Sequence, residues 1–374
     1  MLPIGRRVLY NKKMSNNLTG LERMQLILKR KKADRIGFFE HFWGDTIKKW
    51  SEQGKILPGE NLTDHFGFDI EQCRPDNLTA DINKIPEVVE ETEETILQRD
   101  GNGALLRKHK LHDTTPEHVD FQVKDMKTWQ EFIKPLITPS QERINFEFYK
   151  KTKDHSAKSG KFLAWSGTHV FQCMSNVCGH ESMLAGMILE PEWIKDMVNT
   201  YTELIIGLME ITFEKCGFPD GIWFAEDLGF KEHSFMSPAM FKEFIFPAYK
   251  KTFDYAHSLG LPVVLHSCGY IEKLVPLLIE AGINCLQPME IKSGMNLLRL
   301  YNQFGDKISF MGGLDVRVLN TNDKTKINEV LVSNIPVIKQ GFGYTLHSDH
   351  SIPKTVEYDT FLFFRDRGLE LGKL

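Results

Sequence analysis

The sequence predicts an α/β fold, a distorted (β/α)8 TIM barrel, in which residues 1–374 form a single domain. Two observations support this prediction. From residue 161 onward, short apolar runs alternate with long helical patterns, which is typical of parallel strands joined by helical crossovers. No Gly-x-Gly-x-x-Gly loop follows any of the apolar runs, so a closed barrel is favoured over an open dinucleotide-binding sheet.

The N-terminal part of the chain predicts a helix followed by the first barrel strand. Residues 1–34 form an extension that includes a helix at 19–29, because Leu21, Met24, Ile27 and Leu28 recur at helical spacing. Residues 35–44 follow as a buried strand that ends in polar groups.

A different pattern occupies residues 69–136. It contains a hairpin signal at 95–107, in which Asp100 and Gly101 supply a tight turn between two alternating runs. We expect this segment to be an insertion that covers the barrel, not an independent domain.

Six further candidate strands follow the insertion. They lie at residues 162–170, 221–227, 263–268, 285–290, 308–314 and 344–348. Long helical patterns separate them, for example at 191–215. Together with the strand at 35–44 and one weakly marked strand, the number approaches the eight of a closed barrel.

Composition excludes several classes of partner. The formal net charge of −4 gives no reason to expect nucleic acid, and no apolar stretch is long enough to span a membrane. The first ten residues lack the apolar core of a signal peptide, and the six cysteines show no repeated pairing pattern. We therefore expect a cytoplasmic protein with reduced thiols and a small-molecule substrate.

Polar and aromatic side chains collect at the predicted carboxyl ends of the strands, where barrels of this class carry their chemistry. Glu226, Asp227 and Glu290 are candidate acid–base groups, although Glu226 and Asp227 are explained equally well as helix caps. The candidate substrate-binding residues are Glu40, His41, Trp43, Trp165, Gln287, Asp315 and His347.

The motif His266-Ser267-Cys268-Gly269 closes one apolar run. Side chains alternate along a strand, so His266 and Cys268 point the same way, and imidazole and thiolate are preferred zinc ligands. An isolated pair of this kind is more often a packing feature, but its position at a strand end favours a metal site. The best supplier of a third ligand is the last strand, through Asp349 or His350, and three protein ligands with one open position are typical of catalytic zinc.

At these residues the chain resembles the uroporphyrinogen decarboxylase superfamily, which also contains zinc- and corrinoid-dependent methyltransferases. The resemblance covers most of the chain and implies a distorted (β/α)8 barrel. It is carried by residues 226–229 (Glu-Asp-Leu-Gly), 237–247, 264–269, 312–315 and 341–344.

Two of these places favour the methyltransferase branch. The decarboxylases carry arginines after the first strand to hold a polyanionic substrate, whereas residues 40–44 here read Glu-His-Phe-Trp-Gly. The His-x-Cys motif holds zinc in the methyltransferases, whose third ligand is usually a cysteine of the last strand. Here Asp349 or His350 stands at that place, which would make the metal more electrophilic and puts activation of a thiol in doubt.

The resemblance implies methyl transfer between a small methylated substrate or thiol and a corrinoid, with zinc as Lewis acid. The corrinoid is expected on a separate protein, because the sequence has no Asp-x-His-x-x-Gly cobalamin motif. Two alternatives stay open: a metal-independent decarboxylase of a smaller acid, and a non-catalytic ligand-binding barrel. Barrels of this family commonly pair, so a homodimer is also a possibility.

Overall fold

The computed structural model of the protein describes residues 17–111 and 115–374. The first part of the predicted N-terminal extension, residues 1–16, lies outside the described residues.

The described residues form fourteen strands: β1 (Gly37–Phe38), β2 (Ile70–Cys73), β3 (Glu87–Glu91), β4 (Thr95–Arg99), β5 (Ala104–His109), β6 (Glu117–Phe121), β7 (Phe162–Thr168), β8 (Gly221–Ala225), β9 (Gly229–Phe230), β10 (His233–Ser234), β11 (Val263–Ser267), β12 (Cys285–Pro288), β13 (Ser309–Met311) and β14 (Tyr344–Leu346).

The same residues form fourteen α-helices: α1 (Gly20–Ile27), α2 (Gly44–Glu52), α3 (Leu62–Phe66), α4 (Met126–Thr128), α5 (Phe146–Ser159), α6 (Val170–Leu189), α7 (Pro191–Cys216), α8 (Pro238–Met240), α9 (Phe246–Ser258), α10 (Val275–Ala281), α11 (Leu297–Phe304), α12 (Val316–Asn320), α13 (Lys324–Ile338) and α14 (Tyr358–Leu371). Short 3₁₀ and π turns flank several of them.

Eight of the strands form the predicted parallel barrel. Their order is β1-β14-β13-β12-β11-β8-β7-β2, so each strand lies beside its predecessor in the chain. The backbone N–H of Asp69 donates to the carbonyl of Phe38 at 2.8 Å and connects β2 to β1. Arg23 of α1 braces this closure, since its guanidinium lies 2.6 Å from the Asp69 carboxylate. The (β/α)8 prediction is confirmed.

Strand β2 corrects the predicted boundaries of the insertion. The sequence placed residues 69–136 over the barrel, whereas Ile70–Cys73 pairs in parallel with β7 as a barrel strand. The strand is weakly marked because it holds two polar residues, Glu71 and Gln72, whose side chains bond to His155 and His41.

The insertion itself begins after β2 and contains the four-stranded antiparallel sheet β3-β4-β5-β6. The predicted hairpin at 95–107 corresponds to β4 and β5, in which Thr95 pairs with His109. The sheet packs against a kink in α6, where Gly179 has φ +72°. A Cβ atom at Gly179 would lie 2.5 Å from the ring of Phe121, so the contact requires glycine.

The strands end earlier than the sequence predicts, because their last residues turn into loops at the carboxyl edge. The predicted strand 308–314 ends at Met311, since Gly312 and Gly313 both have positive φ. Among the described residues, no helix is both long enough and apolar enough to cross a bilayer.

Candidate metal centre

Three potential ligand atoms converge at the carboxyl ends of β8 and β11. They belong to Asp227, His266 and Cys268, and all lie within 4.8 Å of one another. The Sγ atom of Cys268 and the Oδ1 atom of Asp227 are each 3.5 Å from Nε2 of His266. Among the described residues this is the group of three whose spacing suits one metal ion.

Backbone contacts between the two strand ends position this cluster. The N–H of Cys268 donates to Asp227 Oδ1 at 3.0 Å, and the N–H of Leu228 donates to Ser267 Oγ at the same distance. The two loops then touch at Gly229 and Gly269. Gly269 has φ +77°, and a Cβ atom there would lie 2.2 Å from the carbonyl carbon of Gly229.

The charges of the cluster suit a cation. Burial by itself would lower the pKa of His266, but Cys268 and Asp227 outweigh burial and raise it well above the usual value. Burial likewise opposes ionisation of Asp227, yet the hydrogen bond to His266 lowers the pKa of that carboxyl. Nitrogen, sulfur and oxygen donors from three residues match the chemistry of zinc, so these residues fit that metal.

A chain of hydrogen bonds leads from His266 into the barrel. Its Nδ1 atom lies 2.5 Å from Gln287 Oε1, and Gln287 Nε2 lies 3.3 Å from His347 Nε2. The same His347 nitrogen is 3.1 Å from His41 Nδ1, whose other nitrogen meets Gln72 Oε1 at 3.0 Å. The sequence missed Gln72, because β2 was assigned to the insertion.

Glu40 lies beside this series of hydrogen bonds, and its side chain has no exposed surface. One of its oxygens is 3.1 Å from His347 Nε2, and the other accepts from the backbone N–H of Ser348 at 2.8 Å. Burial raises the pKa of Glu40 to about 8 and lowers the pKa of His41 to about 4. Burial also lowers the pKa of His347 well below its usual value. Glu40, His41 and His347 are therefore mainly uncharged near pH 7.

The structure places the predicted third ligands elsewhere. The two oxygens of Asp349 accept from the backbone N–H groups of Ile291 and Val316 at 2.8 and 2.7 Å, so this carboxylate holds the starts of two helical segments. His350 stacks on Trp43, with ring centroids 5.9 Å apart. Asp227, predicted as an acid–base group, lies with His266 and Cys268 instead, since β8 lies next to β11 in the barrel.

The other two predicted acids are held by structural contacts. Glu226 is fully buried and accepts from the N–H groups of Phe171 and Gln172 at the start of α6 and from the hydroxyl of Tyr249. It therefore caps the N-terminus of α6. Glu290 accepts from the N–H of Gly269 at 2.7 Å, and Lys292 lowers its pKa against the effect of burial.

The predicted substrate-binding residues divide by exposure. His41 and Trp43 are half-buried at the mouth, whereas Gln287 and His347 are buried beneath it. Trp165 faces the helical layer and packs on Phe213 of α7. Asp315 caps α12 and pairs with Arg317 at 2.7 Å. Trp165 and Asp315 are therefore occupied by contacts within the fold.

A cavity of about 510 Å³ opens beside Asp227 under the inserted sheet. Its residues come from the insertion, from α6 and from the β9–β10 hairpin, and they include Leu106, His118, Gln172, His180 and Phe235. His180 stacks on Phe235 with centroids 4.3 Å apart, and its Nε2 atom is buried without a partner. No pattern in the sequence indicates these residues, because they meet only when the insertion folds over the barrel.

Comparisons with known proteins agree with this architecture. The model of the uroporphyrinogen decarboxylase (URO-D) family matches residues 167–367. Over 155 residues the chain is 24% identical to the methylated-thiol–coenzyme M methyltransferase of Methanosarcina mazei, a match that covers 41% of this chain and 39% of that relative. The match thus spans about two fifths of the relative's length.

A solved structure described as a methyltransferase from Methanosarcina mazei has the same fold. The two structures superpose with a TM-score of 0.63 at 14% identity, over 95% of this chain and 98% of the other.

Proposed function

Because the chain belongs to the uroporphyrinogen decarboxylase family, we propose that it is a zinc-dependent methyltransferase of that family. It transfers a methyl group between a small substrate and a corrinoid carried by a partner protein. The relatives with methyltransferase names support methyl transfer in general. The zinc ion and the corrinoid partner are proposed in addition to methyl transfer itself.

The observation that carries the proposal is the convergence of Asp227, His266 and Cys268 within 4.8 Å at the carboxyl edge of the barrel. A metal-free decarboxylase would need no such set of donors. The loop after β1 also lacks the arginines that a polyanionic substrate requires, since residues 40–44 read Glu-His-Phe-Trp-Gly.

Zinc held by these three residues would act as a Lewis acid on the sulfur, oxygen or nitrogen atom that gains or loses the methyl group. Two further residues position the proposed ligands. Gln287 accepts from Nδ1 of His266 and so leaves Nε2 toward Cys268 and Asp227. Glu290 holds the loop after Cys268 through the N–H of Gly269.

The cavity beside Asp227 has room for a small substrate, which supports the proposal. Phe235 and Leu106 provide apolar surface, while Gln172 and His118 provide hydrogen-bonding groups along the walls. The corrinoid arrives on another protein, because the sequence contains no Asp-x-His-x-x-Gly motif to bind it.

Metal analysis of protein purified without chelators tests the zinc site. We expect about one zinc per chain in the wild type and in Cys216→Ala. Cys216 is a matched control because it is a free thiol at the end of α7, outside the His266–Cys268 motif. His266→Ala and Cys268→Ala should lose most of the metal. Zinc far below one per chain that neither substitution changes would refute the site.

The reaction is tested in two directions. In the first, methylcobalamin is the methyl donor and coenzyme M is the acceptor. In the second, a methoxylated arene or a methylamine is the donor and cob(I)alamin is the acceptor. The visible spectrum reports the conversion of methyl-cobalt(III) to cobalt(I) as the thiol sulfur gains the methyl group and loses its proton. Methyl transfer that disappears in Cys268→Ala supports the proposal. Release of carbon dioxide from a small acid, unchanged in Cys268→Ala, would identify a decarboxylase instead.

A further inference from the structure

A second cavity, of about 410 Å³, lies between the end of β2, helix α6 and the insertion. Its walls are mainly polar, with side chains from Asn77, Thr79, Asn102, Asn145, Thr168 and Asn176. Two charged residues line it, Arg74 and Asp76, which directly follow β2. Neither residue takes part in the proposed metal centre.

Arg74 brings an uncompensated positive charge to this cavity. Its side chain is exposed, and its Nη2 atom donates to the hydroxyl of Thr168. Within residues 17–111 and 115–374 it forms no ion pair with a carboxylate. A guanidinium of this kind suits a ligand carboxylate, which it can bind through two parallel hydrogen bonds.

Asp76 presents the complementary group. Its Oδ2 atom is buried without a hydrogen-bond partner, and its Oδ1 atom has a weak contact of 3.4 Å with the hydroxyl of Thr212. The indole N–H of Trp165 lies close enough to lower the pKa of this carboxyl, but neither it nor Asp76 Oδ2 has a partner at hydrogen-bonding distance. Burial raises the pKa of Asp76 to about 7, and a bound ammonium group would return it to the ionised form.

We propose that this cavity binds the zwitterionic end of a small molecule, with a carboxylate on Arg74 and an ammonium group on Asp76. Two charges of opposite sign, two residues apart in the chain and on the wall of one cavity, fit a ligand that carries both groups. An unsatisfied buried carboxyl oxygen costs stability, and an N–H donor entering the cavity removes that cost.

The position of the cavity connects it to the barrel mouth. Asn102 and Asn176 line both this cavity and the one beside Asp227, so the two spaces adjoin. In the barrel register, Thr168 lies opposite Ala225, which in turn lies opposite His266. A ligand held at Arg74 therefore extends toward the metal centre, but its binding at Arg74 and Asp76 does not depend on the reaction performed there.

Calorimetric titration of the full chain tests the proposal with a series of amino carboxylates: glycine, β-alanine, 4-aminobutyrate and 5-aminopentanoate. Each is compared with the carboxylate and the amine of the same length that carry one group alone. We expect at least one member to bind at least tenfold more tightly than both single-group analogues. Its length then measures the separation of the two anchoring side chains.

Arg74→Gln and Asp76→Asn remove one charge each with little change in shape, and each should weaken that binding at least tenfold. Lys127→Ala is the matched control, because it removes an exposed cation of α4 that does not line the cavity. Binding should also persist in Cys268→Ala, even if the metal centre fails. The proposal is overturned if no amino carboxylate binds better than its analogues, or if Arg74→Gln and Asp76→Asn bind like the wild type.

Discussion

The Nδ1 atom of His266 lies 2.5 Å from the Oε1 atom of Gln287. An amide oxygen only accepts hydrogen bonds, so Nδ1 carries the proton, and Nε2 is the nitrogen available to a metal beside Cys268 and Asp227. Gln287 is itself held by His347, 3.3 Å from its amide nitrogen. The tautomer of the proposed zinc ligand is thus set from inside the barrel.

Gln287→Ala should therefore lower zinc affinity by roughly tenfold to a hundredfold while His266 and Cys268 remain. Competition with a chelator of known affinity measures the change. Gln287→Glu, which retains an oxygen acceptor for Nδ1, should recover most of the affinity. Equal affinities in the wild type and Gln287→Ala would show that the hydrogen bond does not orient the ligand.

Asp227 and Asp349 should respond differently to the same change. Asp227→Asn should reduce zinc content, because the carboxylate lies 3.5 Å from the ligand nitrogen of His266. Asp349→Asn should retain zinc but lower the free energy of unfolding by about 1–3 kcal/mol, because it weakens the contacts to the N–H groups of Ile291 and Val316. Metal analysis and urea unfolding distinguish the two; the opposite pattern would restore Asp349 as the third ligand.

Glu40 should make stability depend on pH. Burial raises its pKa from 4.5 to about 8, so the folded chain keeps a proton that the unfolded chain releases. This contribution is complete below about pH 4.5 and is lost as the pH rises to about 8, with a slope of up to about 1.4 kcal/mol per pH unit.

The measurement is the difference in unfolding free energy between the wild type and Glu40→Gln, taken from pH 5 to pH 8. The neighbouring His41, His347 and Asp349 also titrate, but they are present in both proteins, so the difference reports Glu40 together with its coupling to them. The wild type should lose stability relative to the variant as pH rises. A difference independent of pH would mean that Glu40 is already ionised in the fold.

Gly269→Ala should disturb the metal centre through its backbone. The new Cβ atom would lie 2.2 Å from Gly229, in addition to the strain of φ +77°. Gly260→Ala is a matched control, because its φ is +74° but no atom lies within 4 Å of the new Cβ. We expect Gly260→Ala to cost about 1–2 kcal/mol of stability and to retain zinc. Gly269→Ala should cost more and lose zinc, and equal effects would contradict the close contact.

The sequence predicts the barrel because the pattern that indicates it, apolar runs alternating with helical segments, is local and recurs along the chain. Apolar runs such as 222–225 and 261–265 are continuous, as is typical of buried parallel strands, and helical patterns separate them. It did not predict β2 in the barrel, because Glu71 and Gln72 interrupt the apolar pattern. Their polar side chains are satisfied by His155 and His41, which are distant in the chain.

The sequence by itself determined the strand end at which His266 and Cys268 lie, since their spacing of two residues favours a common direction there. Only the tertiary structure decided the third member. Asp227 and Asp349 both follow barrel strands and look alike in the sequence, but β8 is the direct neighbour of β11, and β14 is not. Which carboxylate reaches the cluster depends on the order of strands around the barrel and on the backbone N–H groups that each acid finds there.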